Sequence, residues 1–368
     1  MHDESSVVSS SKTSLVERSQ SLLELARTVE ITYPAIKAGY DVSFDEIWQL
    51  FLDSGFLYPE KVARLQPVID ELRHTVRTLL DVNGSLLATI VLRNEEAIDA
   101  HMSVLRFYDR TWIVQHLAAR PMTARRLDAS ARLTLGFTYY GRLRPDIEWV
   151  KMYFRPNNPW PARVFGGYAR TLRESTTSDL RTFHYLPAAT DAVGPPAPAD
   201  IDVRAAVPDD LGAIAYWFTA RGRTTEVAAN DLEPARFHVS DLGAAFGCLG
   251  LTRRRECLVA ERHGRLAGFA LLEVATLGMN FSELTNAFTV HLLDDDAEAR
   301  QALILAAKAR YRHLGRAQCV ALEEGDELAA FEAAGFARVK DYTCWTFHRE
   351  HLEGMEHYFM DLFGARRR

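Results

Sequence analysis

The chain has 368 residues, 48% of them apolar and 25% charged, with 43 basic against 49 acidic side chains and a net charge of −6. That length suits two domains. The composition is that of a globular chain and excludes a disordered chain, a collagen-like fibre and a disulfide-knotted miniprotein. The acid excess leaves no broad basic surface, so nucleic acid is not an expected partner. Cys248, Cys257, Cys319 and Cys344 form no CxxC pair and read as small core residues of a reduced, cytoplasmic protein. The start carries no signal-peptide pattern, and the longest apolar runs, such as 86–92, are too short to cross a bilayer, so no membrane is expected as a partner.

Residues 1–43 read as an extension. Its first 13 residues are polar and Ser-rich and are expected to be mobile, and Leu15–Val29 has apolar residues at helical spacing. Ser43-Phe44-Asp45-Glu46 fits a capping box, so a helix is predicted from Ser43. Another runs from Pro67 to about Leu80, with Val68, Leu72, Val76 and Leu79 on one face. After the turn dipeptide Asn83-Gly84, strands are predicted over Ser85–Arg93, Ala97–Phe107 and Thr111–Ala118. A helix over about Thr123–Tyr140 and a strand over Ile147–Phe154 follow.

Residues 186–200, LPAATDAVGPPAPAD, are rich in Pro and Ala and read as a linker. It divides an N-terminal domain, 44–185, from a C-terminal one, 201–368. The second half is read as strand 201–206, helix 208–220, hairpin 257–262 with 266–275, strand 286–293, helix 297–314, strand 317–322, short helix 326–334 and strand 339–348. The order of elements repeats between the halves. Trp112-Ile113-Val114-Gln115-His116-Leu117 can be laid on Ala287-Phe288-Thr289-Val290-His291-Leu292.

Three segments of the second half carry a family resemblance: Ile201–Leu211, Cys257–Ala270 and Phe331-Glu332-Ala333-Ala334-Gly335-Phe336. They resemble the opening strand and helix, the central hairpin and the segment before the last hairpin of the GNAT (Gcn5-related N-acetyltransferase) superfamily. The first half looks like a divergent copy. The resemblance implies a tandem GNAT protein of α/β (α+β) class. Each of its two domains would be a mixed, mostly antiparallel sheet flanked by helices, preceded by the helical extension. It further implies an acyltransferase that moves an acyl group from an acyl-CoA, acetyl-CoA or another acyl thioester to a small-molecule amine. No metal is expected.

The family's phosphate-binding loop, with glycines at the start of the long helix, is altered in both halves. In the second, Asp294-Asp295-Asp296 stand there; they suit helix capping and would repel a pyrophosphate. Phe331 takes the place of the family's acid tyrosine, and Tyr342, on the last strand, reads as core or rim. The first half is therefore the expected catalytic copy. Arg120, Thr123, Ala124 and Arg125 form a candidate anion-binding helix start, and Asn157 is a further candidate for holding the cofactor. His116 and His101 are candidate bases, since an unperturbed imidazole titrates near neutrality, and Tyr168 is the candidate acid. Trp112 and His116, four apart on a strand, are expected on one face, with Gln115 on the other. Two alternatives stay open. One is a non-catalytic ligand-binding or regulatory module with degenerate loops. The other is a Fem-type transferase taking an aminoacyl group from tRNA.

Overall fold

A computed structural model describes residues 22, 24–33, 36–39, 42–82, 84–94, 97–120, 126–173 and 175–364. Residues 24–32 are helical (α1) and lead to a short strand, β1 (Ile36–Gly39). The predicted capping box is present. Ser43 accepts from the Glu46 N–H and the Glu46 carboxylate accepts from the Ser43 N–H, opening α2 (Phe44–Asp53). α3 (Pro59–Leu65) and α4 (Ile69–Leu80) follow. Then come the antiparallel strands β2 (Leu87–Arg93), β3 (Ile98–Arg106) and β4 (Thr111–Ala119), helix α5 (Arg126–Leu143) and strand β5 (Trp149–Phe154).

Two elements follow where no regular structure was predicted. Helix α6 (Pro159–Thr171) begins inside a Pro-Trp-Pro run, and its first proline stands at the helix start, where the missing N–H has no intrahelical partner anyway. Strand β6 (Ser178–Ala189) takes in the first four residues of the expected linker. The second half contributes β7 (Ile201–Ala205), α7 (Pro208–Ala220), α8 (Thr224–Ala229), α9 (Ser240–Gly247), β8 (Arg253–Arg262) and β9 (Arg265–Ala275). β10 (Ala287–Leu292), α10 (Ala297–His313), β11 (Gln318–Glu323), α11 (Ala329–Ala333), β12 (Lys340–His348) and α12 (Leu352–Gly364) complete it.

Among the described residues, twelve strands form one sheet in the order β1-β2-β3-β4-β5-β12-β6-β11-β10-β9-β8-β7. β4 with β5 and β10 with β11 are parallel pairs; the other pairings are antiparallel. The centre of the sheet is an exchange. β12, from the end of the second half, pairs with β5 of the first, and β6, from the end of the first half, pairs with β11 of the second. The halves therefore share the middle of one sheet.

Helix α12 crosses with β12. Leu352, Met355 and Phe359 join the core formed by β2–β5 with α1, α5 and α6. Arg142 of α5 reaches Glu356 (2.6 Å) and Glu353 (3.3 Å) of α12, and the Tyr33 hydroxyl donates to Glu356 (2.8 Å). Helices α2, α3 and α4 cover the opposite face of the first half's strands, where Val91, Ala118 and Phe281 complete a second core. Between the halves, the fully buried Arg253 and Arg255 meet Glu273 at 2.8 and 2.9 Å, and the Tyr108 hydroxyl donates to the same carboxylate. This is a buried charge cluster of the kind that fixes how two surfaces register.

Candidate active site

β4 and β5 stay paired only as far as Val114 opposite Met152. Beyond that they diverge, and the edge of β4 is released from its neighbour. The same strand is bulged against β3: Ser103 faces Gln115 while His101 faces Ala118, so Met102 opposes two residues, His116 and Leu117. His116 takes a left-handed backbone, φ 59°. One extra residue shifts the side-chain alternation, which corrects the face expected for His116. Trp112 and Val114 point to the α5/α6 side. The His116 ring instead meets Phe51, Phe56 and Phe281 on the α2–α4 side, where the Gln115 amide donates to Met279 O (2.7 Å).

The divergence opens a cleft of about 730 Å³. Its walls are β4 from Ile113 to Ala119, the end of β5 through Phe154 and Arg155, and the start of α6 with Asn158, Trp160 and Phe165. The turn before α3 adds Phe56 and Tyr58, and α3 adds Lys61. The second half contributes Asn280, Ser282 and Leu284, with Lys340 and Tyr342 of β12. Asn280 is held in place by donating to the Gln115 side-chain oxygen at 2.7 Å. The site thus needs both halves.

The two histidines are in or behind the cleft wall. The Phe281 N–H donates to His116 Nε2 (3.3 Å), so that nitrogen carries the lone pair, and Nδ1 faces the Ser103 hydroxyl at 3.4 Å. Burial, with smaller contributions from His101 and Lys61, holds the His116 imidazole well below its usual range. His101 gives its Nδ1 proton to the His116 carbonyl (3.1 Å) and is pushed down to about 4 by burial. His101 is absent from the lining of the large cleft. Its Nε2, unpartnered among the described residues, stands at a water-sized cavity of about 20 Å³.

The remaining sequence candidates scatter. Tyr168 faces α12: its hydroxyl donates to His351 O (3.1 Å) and its ring packs on Tyr358 and Trp345. The α6 residues that reach the cleft are Pro159, Trp160, Pro161 and Phe165. Asn157 is an exposed turn residue, and its neighbour Asn158 is the one that lines the cleft. Arg120 pairs with Asp53 (3.1 Å). Thr123, Ala124 and Arg125 lie outside the described residues.

Tyr342, read from sequence as core or rim, is buried yet lines the cleft, as does Ser282. Lys61 escaped sequence reading altogether. The signal was available: Lys61 and Leu65 share the buried face of α3, so a lysine sits on an apolar stripe.

The second half has a counterpart cleft. β10 and β11 pair only at Ala287 with Val320 and Phe288 with Ala321, then separate. The space there is about 340 Å³, with Asp294, Asp295, Glu323 and Glu324 in its walls. Asp296 caps α10 by accepting from the N–H groups of Glu298 and Ala299, and Arg262 binds Asp296 (2.8 Å). The helix start is therefore already satisfied by protein carboxylate. Phe331 is fully buried against Phe336 and carries no hydroxyl.

Two five-stranded arrays, each with a parallel pair that splays toward a long helix, face each other across exchanged final strands. This is the arrangement that the resemblance to tandem GNAT proteins implies. The X-ray structure of a Drosophila protein aligns over 85% of this chain and 98% of its own, with TM-score 0.50 and 12% identity. A tandem GNAT protein from the clavulanic acid biosynthesis pathway aligns over 72% of this chain and 83% of its own (TM-score 0.39, 17% identity). A GCN5-related N-acetyltransferase from Sphaerobacter thermophilus aligns over 86% and 96% (TM-score 0.45, 13% identity). The likeness to the Drosophila structure concerns the fold alone. No family model matches the sequence, and no curated protein does.

Proposed function

We propose that the protein is a GNAT-type N-acyltransferase whose first-half cleft takes an acyl-CoA, or another acyl thioester, and an amine. The observation that carries this is the contrast between the two splayed pairs. Both open, but the second has Asp294, Asp295, Glu323 and Glu324 in its walls and Asp296 capping its long helix, whereas no Asp or Glu among the described residues lines the first. The edge of β4 beyond Val114 offers backbone groups that need partners, and an extended, amide-bearing chain such as the pantetheine arm supplies them.

The thioester supplies an activated acyl carbon. In the net reaction the amine nitrogen bonds to that carbon, the carbon–sulfur bond breaks, and one proton passes from nitrogen to sulfur. The chain's part is to hold the two reactants in line in a cleft whose apolar walls, Phe56, Trp160 and Phe165, exclude water. The Tyr342 hydroxyl, in the cleft wall beside Ser282, is the group positioned to protonate the departing thiolate. His116 orders the wall: as the neutral tautomer it fixes the 280–284 loop through Phe281.

Native mass spectrometry with a mixture of acyl-CoAs, followed by thiol release in the presence of amines, tests the reading. One CoA-sized adduct per chain and amine-dependent release are expected. Absence of both across short and long acyl chains would leave a binding module in its place.

A further inference from the structure

The charges in the cleft are one-sided. Among the described residues its walls hold Lys61, Arg155 and Lys340 and not one Asp or Glu. Elsewhere arginines are tied to carboxylates, as in Arg204 with Asp210 and Arg310 with Glu256. Among the described residues, Lys61, Arg64, Arg155 and Lys340 make no ion pair. The Lys61 ammonium lies 3.9 Å from the centre of the Phe56 ring. Lys340 lies over Tyr185 (4.5 Å) and Tyr342 (5.2 Å). Arg64 donates to Phe281 O at 3.3 Å. The carboxyl of Glu283, near Arg64, is engaged with Asn286 at 3.0 Å.

The neighbouring cations press on both lysines. Lys61 is pushed down to about 7 by burial, then by Lys340 and Arg64. Lys340 is lowered by burial, with Arg64 and Arg155 adding to it and Tyr58 opposing. Such crowding costs stability unless a counter-charge arrives. Its location is also specific. Trp345 and Phe347 of β12 point to the α5/α6/α12 side, so Lys340 and Tyr342 project to the α2–α4 side, where α3 carries Lys61 and Arg64. The helix that follows β4, α5, lies on the other face.

We propose that Lys61, Arg155 and Lys340 recognise an anionic group, a carboxylate or a phosphate, on the amine acceptor. This rests on the acyltransferase reading above. Such a group would meet several unpaired donors in a site walled by aromatic rings, where charge-assisted hydrogen bonds are strong.

Calorimetry of the full chain with γ-aminobutyrate, aminoethylphosphonate and the uncharged-tail control γ-aminobutyramide tests it. The two anions are expected to bind and the amide not; the tighter anion identifies the source. Lys340→Gln and Arg155→Gln are each expected to weaken the anion by about tenfold, the loss of one charge-assisted bond, and to leave CoA affinity unchanged. Equal binding of the amide, failure of both anions to bind, or a loss of CoA affinity in place of anion affinity would overturn it. The last result would assign the cations to the donor's phosphates. A titration with CoA alone separates the two readings: no CoA binding removes the acyltransferase, while CoA binding without discrimination among the probes removes only the anion site.

Discussion

The backbone N–H of Phe281, in the second half, donates to Nε2 of His116, on the bulged strand of the first. That contact ties the loop carrying Asn280 and Ser282 to the cleft wall, and it occupies the lone pair that a general base would use. His116→Ala should therefore cost stability, about 2 to 4 kcal/mol in urea denaturation, by orphaning a buried donor and emptying an aromatic cage. His116→Asn tolerates the left-handed backbone and offers an amide oxygen, and should retain more. Loss of one limb of the pH–rate profile in His116→Asn, with stability kept, would return the base role to this residue.

Acid should destabilise the protein in a defined window. Unfolded imidazole takes a proton below about pH 6.5. Buried His101 resists until about 4, and His116 and His291 are also held well below the usual value by burial. A group with a lowered folded pKa of this kind leaves stability full above 6.5 and erodes it as pH falls toward 4. His101 alone accounts for on the order of 3 kcal/mol. Paired carboxylates such as Asp296 and Asp341, lowered by Arg262 and Arg338, lose their contribution only further down. Denaturation at stepped pH should show the loss starting near 6.5, and His101→Gln should make it shallower.

Lys61→Met should stabilise the fold below neutral pH by about 1 to 2 kcal/mol, even after loss of the contact with Phe56. The substitution removes a buried cation repelled by Lys340 and Arg64. Destabilisation on the same scale would mean that the ammonium is held by the fold and not kept for a ligand.

Gly278 shows how tightly the halves meet. Its φ is +94°, and a Cβ there would stand 2.9 Å from Leu72 Cα and 3.1 Å from Thr75 Cβ on α4. Gly278→Ala should cost about 2 to 4 kcal/mol, through strain and through displacement of the loop that supplies Asn280. A variant as stable as the parent would show that the loop is not seated on α4.

Much of this architecture is written locally. The Ser43/Glu46 box, the hairpin around His263-Gly264 and the Asp296 cap use neighbouring residues, so sequence alone locates them. The exchange of β6 and β12 is not local. A strand with period-two burial does not specify which strand lies beside it, and Leu186 and Cys344 would suit either half. The bulge at His116 is equally hidden, because one unpaired residue in β3–β4 reverses the face of the histidine without altering composition. Lys61 is hidden as well, because Lys340, which crowds it, lies in the other half of the sequence.

The central claim, that the first-half cleft alone holds the acyl donor, is tested most directly by hydrogen exchange with and without acetyl-CoA. Slowed exchange is predicted for the amides of 115–119 on the released edge of β4 and around 152–158, with residues 289–296 of the second-half cleft unchanged. Protection at 289–296, or none on β4, would contradict it.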